Sequence, residues 1–367
     1  MDGLGGVPAL PRSAPLGVSV APDAAGALGA FRCGAPVAVA IPDITRPLDC
    51  RAALSALAQR LTGGMTTVIG LGLHRRMTAE ECAPLADFSP LQHDPDDTVP
   101  TATIDDIPGS VSRPVAAASL SISIGIAELH QYAGISGGHK GVAVGCGGRE
   151  TIAALHHRDR VCAPGVRVGQ LVDNPFRAAV DALGEAAGCR YALLYVPQAK
   201  RWLFGEPSAA VRHAASMLEP WSMVASRAPG ARLRVPAAKA GSLYQASRAA
   251  TYLALSPRPP VVPGGTLLLQ AACPEGLGSE RGFVDALRAH SPPWQGLLTG
   301  PPPTGAGAQR AVMLALLAQR FQLKVTGCLS AAVLREVGID ASEEAVGLPD
   351  GWLDVPDPFH RLPQVLP

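Results

Sequence analysis

Apolar and polar positions alternate along the chain in two distinct rhythms. Short β-branched or apolar runs occur at 36–41, 66–70, 120–126, 191–196 and 266–270. They are too short for helices and read as strands. Apolar positions at helical spacing cover 51–61, 150–157, 175–187, 244–255, 279–290, 306–319 and 331–337. Strands alternating with helices predict an α/β fold. The proline-rich segments 256–265 and 299–307 read as loops. The helical pattern breaks across 220–236, which predicts two α/β domains, residues 1–225 and 226–345, with the active site in the cleft between them. The tail, 346–367, is expected to pack back on the first domain through Trp352, Leu353 and Phe359.

Three polar motifs follow predicted strands, where α/β folds bind ligands. The first is PDITRP at 42–47. A carboxylate and a guanidinium three apart, Asp43 and Arg46, can grip a ribose and an anion; a turn with a surface ion pair is the plainer reading. The second is GLGLHRRMTAEE at 70–81. Gly70 and Gly72 allow a sharp turn, and Thr78 with Glu81 has the spacing of a capping box, so a helix starts there. His74 then projects from the loop before that helix. His93, beside Asp94, has the simpler account of a polar loop residue.

The third motif, ELHQYAGISGGHKGVAVGCGGRETIAALHH at 128–157, holds four of the nine histidines and one of only four lysines. Lys140 follows Gly137 and Gly138, where backbone with little bulk lets a phosphate approach. The spacing is not that of a Walker A loop. A lysine there can serve as a point charge or as a covalent attachment site, and attachment needs a neutral amine, which burial favours. His156 and His157 are neighbours on a predicted helix and point about 100° apart, so one of them faces the site. Imidazole suits nickel or zinc.

Composition narrows the partners. A formal net charge of +1 builds no field for nucleic acid or an anionic membrane. No apolar run approaches the ~20 residues that span a bilayer, and residues 1–17 lack the basic-then-apolar form of a secretory signal. The eight cysteines are scattered without a CxxC, which argues against a disulfide framework or a cysteine zinc site. A cytoplasmic protein with reduced cysteines is expected.

Together the motifs resemble the nickel-dependent lactate racemase family. The matching features are an Asp-x-x-Arg-Pro loop (Asp43 to Pro47), a Gly-x-His-Arg segment (Gly72 to Arg75), a His-to-Lys block (His130 to Lys140) and a histidine sixteen residues later, His156. The resemblance continues in LYQASR at 243–248 and ACPEGLGSERGF at 272–283, and spans about residues 35–320. It implies a nickel-pincer nucleotide joined through a thioamide to Lys140, with His156 as the protein ligand to nickel. Asp43, Arg46, Gly137 and Gly138 would line the cofactor. His74 and His130 would be paired acid and base for inverting C2 of a 2-hydroxy acid by reversible hydride transfer. Arg46, Tyr244, Gln245 and Arg248 would bind the substrate. The implied partners are a small 2-hydroxy acid and the proteins that make and load the cofactor.

Two departures stand out. Arg248 falls where the family's lactate racemases have lysine, and Arg310 falls near a tryptophan position. A lost aromatic wall and a gained cation point to a larger or more anionic substrate than lactate. Alternatives are another hydride-transfer isomerase or a dehydrogenase on the same cofactor, and a non-catalytic cofactor-binding homologue. Zinc hydrolysis is disfavoured, because no His-Glu-x-x-His helix occurs.

Overall fold

The computed structural model describes residues 17–218, 222–327, 329–342 and 347–365. The expectations for residues 1–16 and for Cys328 lie outside them. A seven-stranded sheet runs in the order Ser19–Ala21, Arg201–Gly205, Cys189–Val196, Leu120–Ile126, Val37–Pro42, Met65–Gly70, Leu91–Gln92. The last five are parallel, and the first two strands add an antiparallel edge. A second sheet, all parallel, runs Asp340–Ala341, Gln322–Gly327, Val261–Ala271, Ala228–Arg234, Leu353–Val355. The chain is therefore α/β, as the alternating pattern predicts. No described helix is long and apolar enough to cross a membrane.

Alternation along the central strands decides which layers can pack on each face. Leu120, Ile122 and Ile124 join Val37, Val39 and Ile41 in a core that the helices Ala24–Leu28 and Arg51–Ala58 complete. The opposite positions are small: Ala38, Ala40, Ser121, Ser123 and Gly125. The short helix Lys140–Ala143 comes close to the sheet on that side. A Cβ on Gly141 would overlap Ser123 Oγ, and Gly70 and Gly145 meet backbone to backbone. Small residues are the condition for bringing Lys140 down onto the sheet.

Several sequence expectations need correction. The loop assigned to 256–265 is partly strand, since Val261 already pairs with Ala228. Pro263 and the two glycines sit where the register shifts, a place that tolerates proline. The helix expected over 244–255 is two helices, Leu243–Ala246 and Arg248–Ala254, meeting at Ser247. The helix over 150–157 ends at Leu155; His156 caps it and His157 opens the next, Arg158–Val161. The capping box is present, with Thr78 and Glu81 bonding reciprocally at the start of Ala79–Cys82.

The segment 347–365 ties into both halves. Leu353–Val355 joins the second sheet and Phe359 is buried in that sheet's core. His360 lies 3.5 Å from Glu128, which follows the first sheet's central strand. Residues 128–131 are a docking line for the second half. Lys239 Nζ is 2.9 Å from Glu128 Oε2, Tyr252 donates to the Leu129 carbonyl at 3.0 Å, and Thr251 donates to Gln131 at 3.0 Å.

Candidate active site

The loops after Val37–Pro42, Met65–Gly70 and Leu120–Ile126 open onto one cleft of about 610 Å³, closed on its other side by residues of the second half. Asp43, Arg46, His74, His130, Gly137, Lys140, His156, Tyr244, Gln245 and Arg248 all line it. Gly138 does not. A side chain there would meet Val211 and the Pro207 carbonyl, so this glycine serves packing under the loop. Both Gly137 and Gly138 have positive φ, 94° and 65°, which the turn before Lys140 requires.

Asp43 is already engaged within the chain. It accepts from Thr45 Oγ1 and from the Thr45 amide, and it holds His74 Nδ1 at 2.6 Å. Burial alone would raise its pKa, but the His74 and Thr45 bonds outweigh that and hold the carboxyl at about 2. A carboxylate bound to Nδ1 fixes the tautomer, so the lone pair of His74 is on Nε2. The His74 side chain is 34% exposed, while that of Asp43 is 7% exposed. The reading of Asp43 as a ribose ligand missed this partnership, because nothing in the chain links positions 43 and 74 before two parallel strands place them side by side.

His130 is arranged the other way. Its Nδ1 accepts from the amides of Tyr132 at 3.3 Å and Ala133 at 3.1 Å. Burial, then the charges of Lys140 and Arg46, hold its pKa well below the ordinary imidazole value. The neutral ring therefore carries its proton on Nε2. His156 donates from Nδ1 to the Ile152 carbonyl at 2.8 Å, leaving the Nε2 lone pair available to a metal. Burial outweighs that bond and brings its pKa to about 4. Its ring packs edge-on against Tyr132 and Phe176. His157 also lines the cleft, contrary to the expectation that one of the pair turns away, because the helix breaks between them; its side chain is 46% exposed and faces Asp159. His139 is buried against Asp181 and His93 against the Gly147 carbonyl, both away from the cleft.

Lys140 Nζ has no hydrogen-bond or ion-pair partner among the described residues. Burial, followed by Arg46, Arg248 and Arg177, lowers its pKa to about 7. Arg248 itself is brought to about 10 by burial and Arg46. The cleft is thus crowded with cations, and Asp43 on its wall is engaged by His74. The sequence patterns did not show Tyr132, which walls both His130 and His156, or Gln131 and Ser123, whose buried Nε2 and Oγ lack partners and which line the same cleft.

The parts suit a nucleotide-type group with its own metal donors. A near-neutral lysine amine can be acylated, one imidazole offers a lone pair, and unpaired cations can receive a phosphate or a carboxylate. Among the described residues no three His, Cys, Asp or Glu side chains gather where they could hold a metal ion, so His156 would be a single protein ligand to a metal otherwise held by a bound group.

A two-sheet α/β protein with a cation-rich, histidine-lined cleft at the carboxyl ends of parallel strands is the class these features define. Residues 25–169 match the family described as the lactate racemase N-terminal domain. No curated protein sequence matches the chain. The fold is similar to the lactate racemase apoprotein from Thermoanaerobacterium thermosaccharolyticum, with a TM-score of 0.79 and 19% identity over 90% of this chain and 87% of that one. It is also similar to a Thermotoga maritima protein from a structural genomics programme, with a TM-score of 0.71 and 17% identity over 92% of this chain and 95% of the other.

Proposed function

We propose that this chain is a racemase or epimerase that inverts C2 of a 2-hydroxy acid, with a nickel-pincer nucleotide attached to Lys140 and ligated by His156. The observation that carries the reading is the partnerless, near-neutral Lys140 amine in one cleft with His74, His130 and His156. When bound, the nucleotide supplies a reversible hydride acceptor.

The chain's own residues do the rest. Arg46 and Arg248 hold the substrate carboxylate, and Tyr244 and Gln245 orient it. His74 Nε2 takes the hydroxyl proton, and Asp43 stabilises the imidazolium that forms. His130 Nε2–H hydrogen-bonds the substrate oxygen from its side, and the proton held on His74 returns to that oxygen when the hydride comes back. For His130 to act as base for the other enantiomer, its proton must move to Nδ1. That gives up the Tyr132 and Ala133 amides, so the turn at 131–133 shifts in that half of the cycle.

The test is a chain purified from cells that make the cofactor. It should carry nickel and a mass adduct on Lys140, and it should return the C2 hydrogen to product without solvent exchange. Lys140→Ala should lose nickel, adduct and inversion together. Full-rate inversion by Lys140→Ala, or rapid deuterium uptake at C2 from heavy water, would sink the reading.

A further inference from the structure

One buried cation in the cleft wall has no task in that reading. Arg310, on the helix Ala308–Ala318, is 4% exposed. Its Nη1 donates to Gln131 Oε1 at 2.6 Å and lies 3.2 Å from Thr251 Oγ1. Its guanidinium stands over the Tyr244 ring, 5.8 Å from the centroid. Nε is buried without a hydrogen-bond partner among the described residues, and none of them accepts from Nη2. No described carboxylate pairs with it. Neutral groups hold one corner of the fork, and the Nε–Nη2 edge is left over.

At three other arginines that edge grips a carboxylate through both oxygens. In Arg51 it grips Asp49, with bonds of 3.0 and 2.6 Å. In Arg149 it grips Asp96, at 2.8 and 2.6 Å. In Arg177 it grips Asp181, at 3.0 and 2.6 Å. Two parallel N–H groups match the two oxygens of a carboxylate. A buried guanidinium without a counter-ion is costly, and the cleft it lines admits a ligand that can supply one. Arg248 has other partners, lying over the Phe359 ring and bonded to the Gln245 carbonyl. The two cations can therefore hold two separate carboxylates.

We propose that Arg310 binds a second carboxylate on the substrate, which makes the substrate a 2-hydroxy dicarboxylate. The hydroxyl at C2 rests on the racemase reading; the second carboxylate rests on Arg310 alone. Calorimetric titration of the cofactor-free chain with succinate and with propionate, at matched ionic strength, separates the two. Succinate should bind about 10- to 100-fold more tightly than propionate, the range for a buried charged hydrogen-bond pair. Arg310→Gln should remove the difference, and Arg310→Lys, a point charge without the fork, should restore part of it. The loaded enzyme should favour malate over lactate, and Arg310→Gln should narrow that ratio chiefly through KM.

Equal binding of succinate and propionate by the unaltered chain would overturn the proposal, as would a preference that survives in Arg310→Gln. If Arg310→Gln loses nickel and the Lys140 adduct while keeping the succinate preference, the guanidinium serves the nucleotide phosphate and the proposal fails. An Arg310-dependent succinate preference in a chain that inverts no 2-hydroxy acid would support the dicarboxylate site and refute the racemase reading instead.

Discussion

His74 and His130 face the same cleft with their protons on opposite nitrogens, and the cause is one neighbour each. Asp43 accepts from Nδ1 of His74, while two amides donate to Nδ1 of His130. Replacing Asp43 by Asn should weaken both the tautomer and the imidazolium, lowering kcat for 2-hydroxy-acid inversion by about 10²-fold or more. The melting temperature should change little, which separates lost proton transfer from lost folding. Residue types and spacing drew attention to Lys140, a scarce lysine among glycines and histidines in an Arg-rich chain; the choice of His74, His130 and His156 came from the resemblance to the lactate racemase family. The partners of Asp43, Gln131 and Arg310 were not legible. Each depends on a partner more than thirty positions away, and only packing brings those partners together.

At the scale of elements, β-branched runs were readable and others were not. Leu120–Ile126 appears with the bounds its Ile-rich alternation predicts. Ala228–Arg234, with the sequence APGARLR, lies inside the second sheet despite weak strand propensity, because neighbours on both sides supply the ladder. The helix Pro207–Leu218 also escaped the reading, as its alanine-rich pattern gives little apolar contrast. The contact between Lys140–Ala143 and Leu120–Ile126 yields a direct test. Gly141→Ala would drive a Cβ into Ser123 Oγ and should cost about 1–3 kcal/mol, measured by denaturant unfolding, with Lys140 displaced and nickel loading reduced. Ser123 Oγ has no hydrogen-bond partner among the described residues, so adding Ser123→Ala should recover most of the loss. A double variant no more stable than the single one would show that the two elements do not meet as described.

Across the whole molecule, the two halves meet on residues 128–131 through a buried charge network. Lys239 and His360 both reach Glu128, and Asp357 holds His360 Nδ1 at 2.6 Å. Burial opposes a charge on His360, but Asp357 and Glu128 outweigh it and raise its pKa to about 9. A raised folded-state pKa gives stability that is full below the ordinary value near 6.5 and fades as pH rises through 9. The gap in unfolding free energy between the unaltered chain and His360→Gln should therefore be widest below pH 6.5, of the order of 3 kcal/mol, and should close by about pH 10. A gap that stays constant with pH would mean that the imidazolium is not what joins the halves. The cations on the inner wall carry a practical consequence. Arg46, Lys140, Arg248 and Arg310 face a shared space without carboxylate partners among the described residues, so whatever multivalent anion is in the buffer becomes a ligand by mass action. Phosphate, sulfate or citrate in a purification should raise the melting temperature and, in the same tube, compete with substrate. The formulation that keeps this protein best on the shelf would then be the one in which an assay reads it worst.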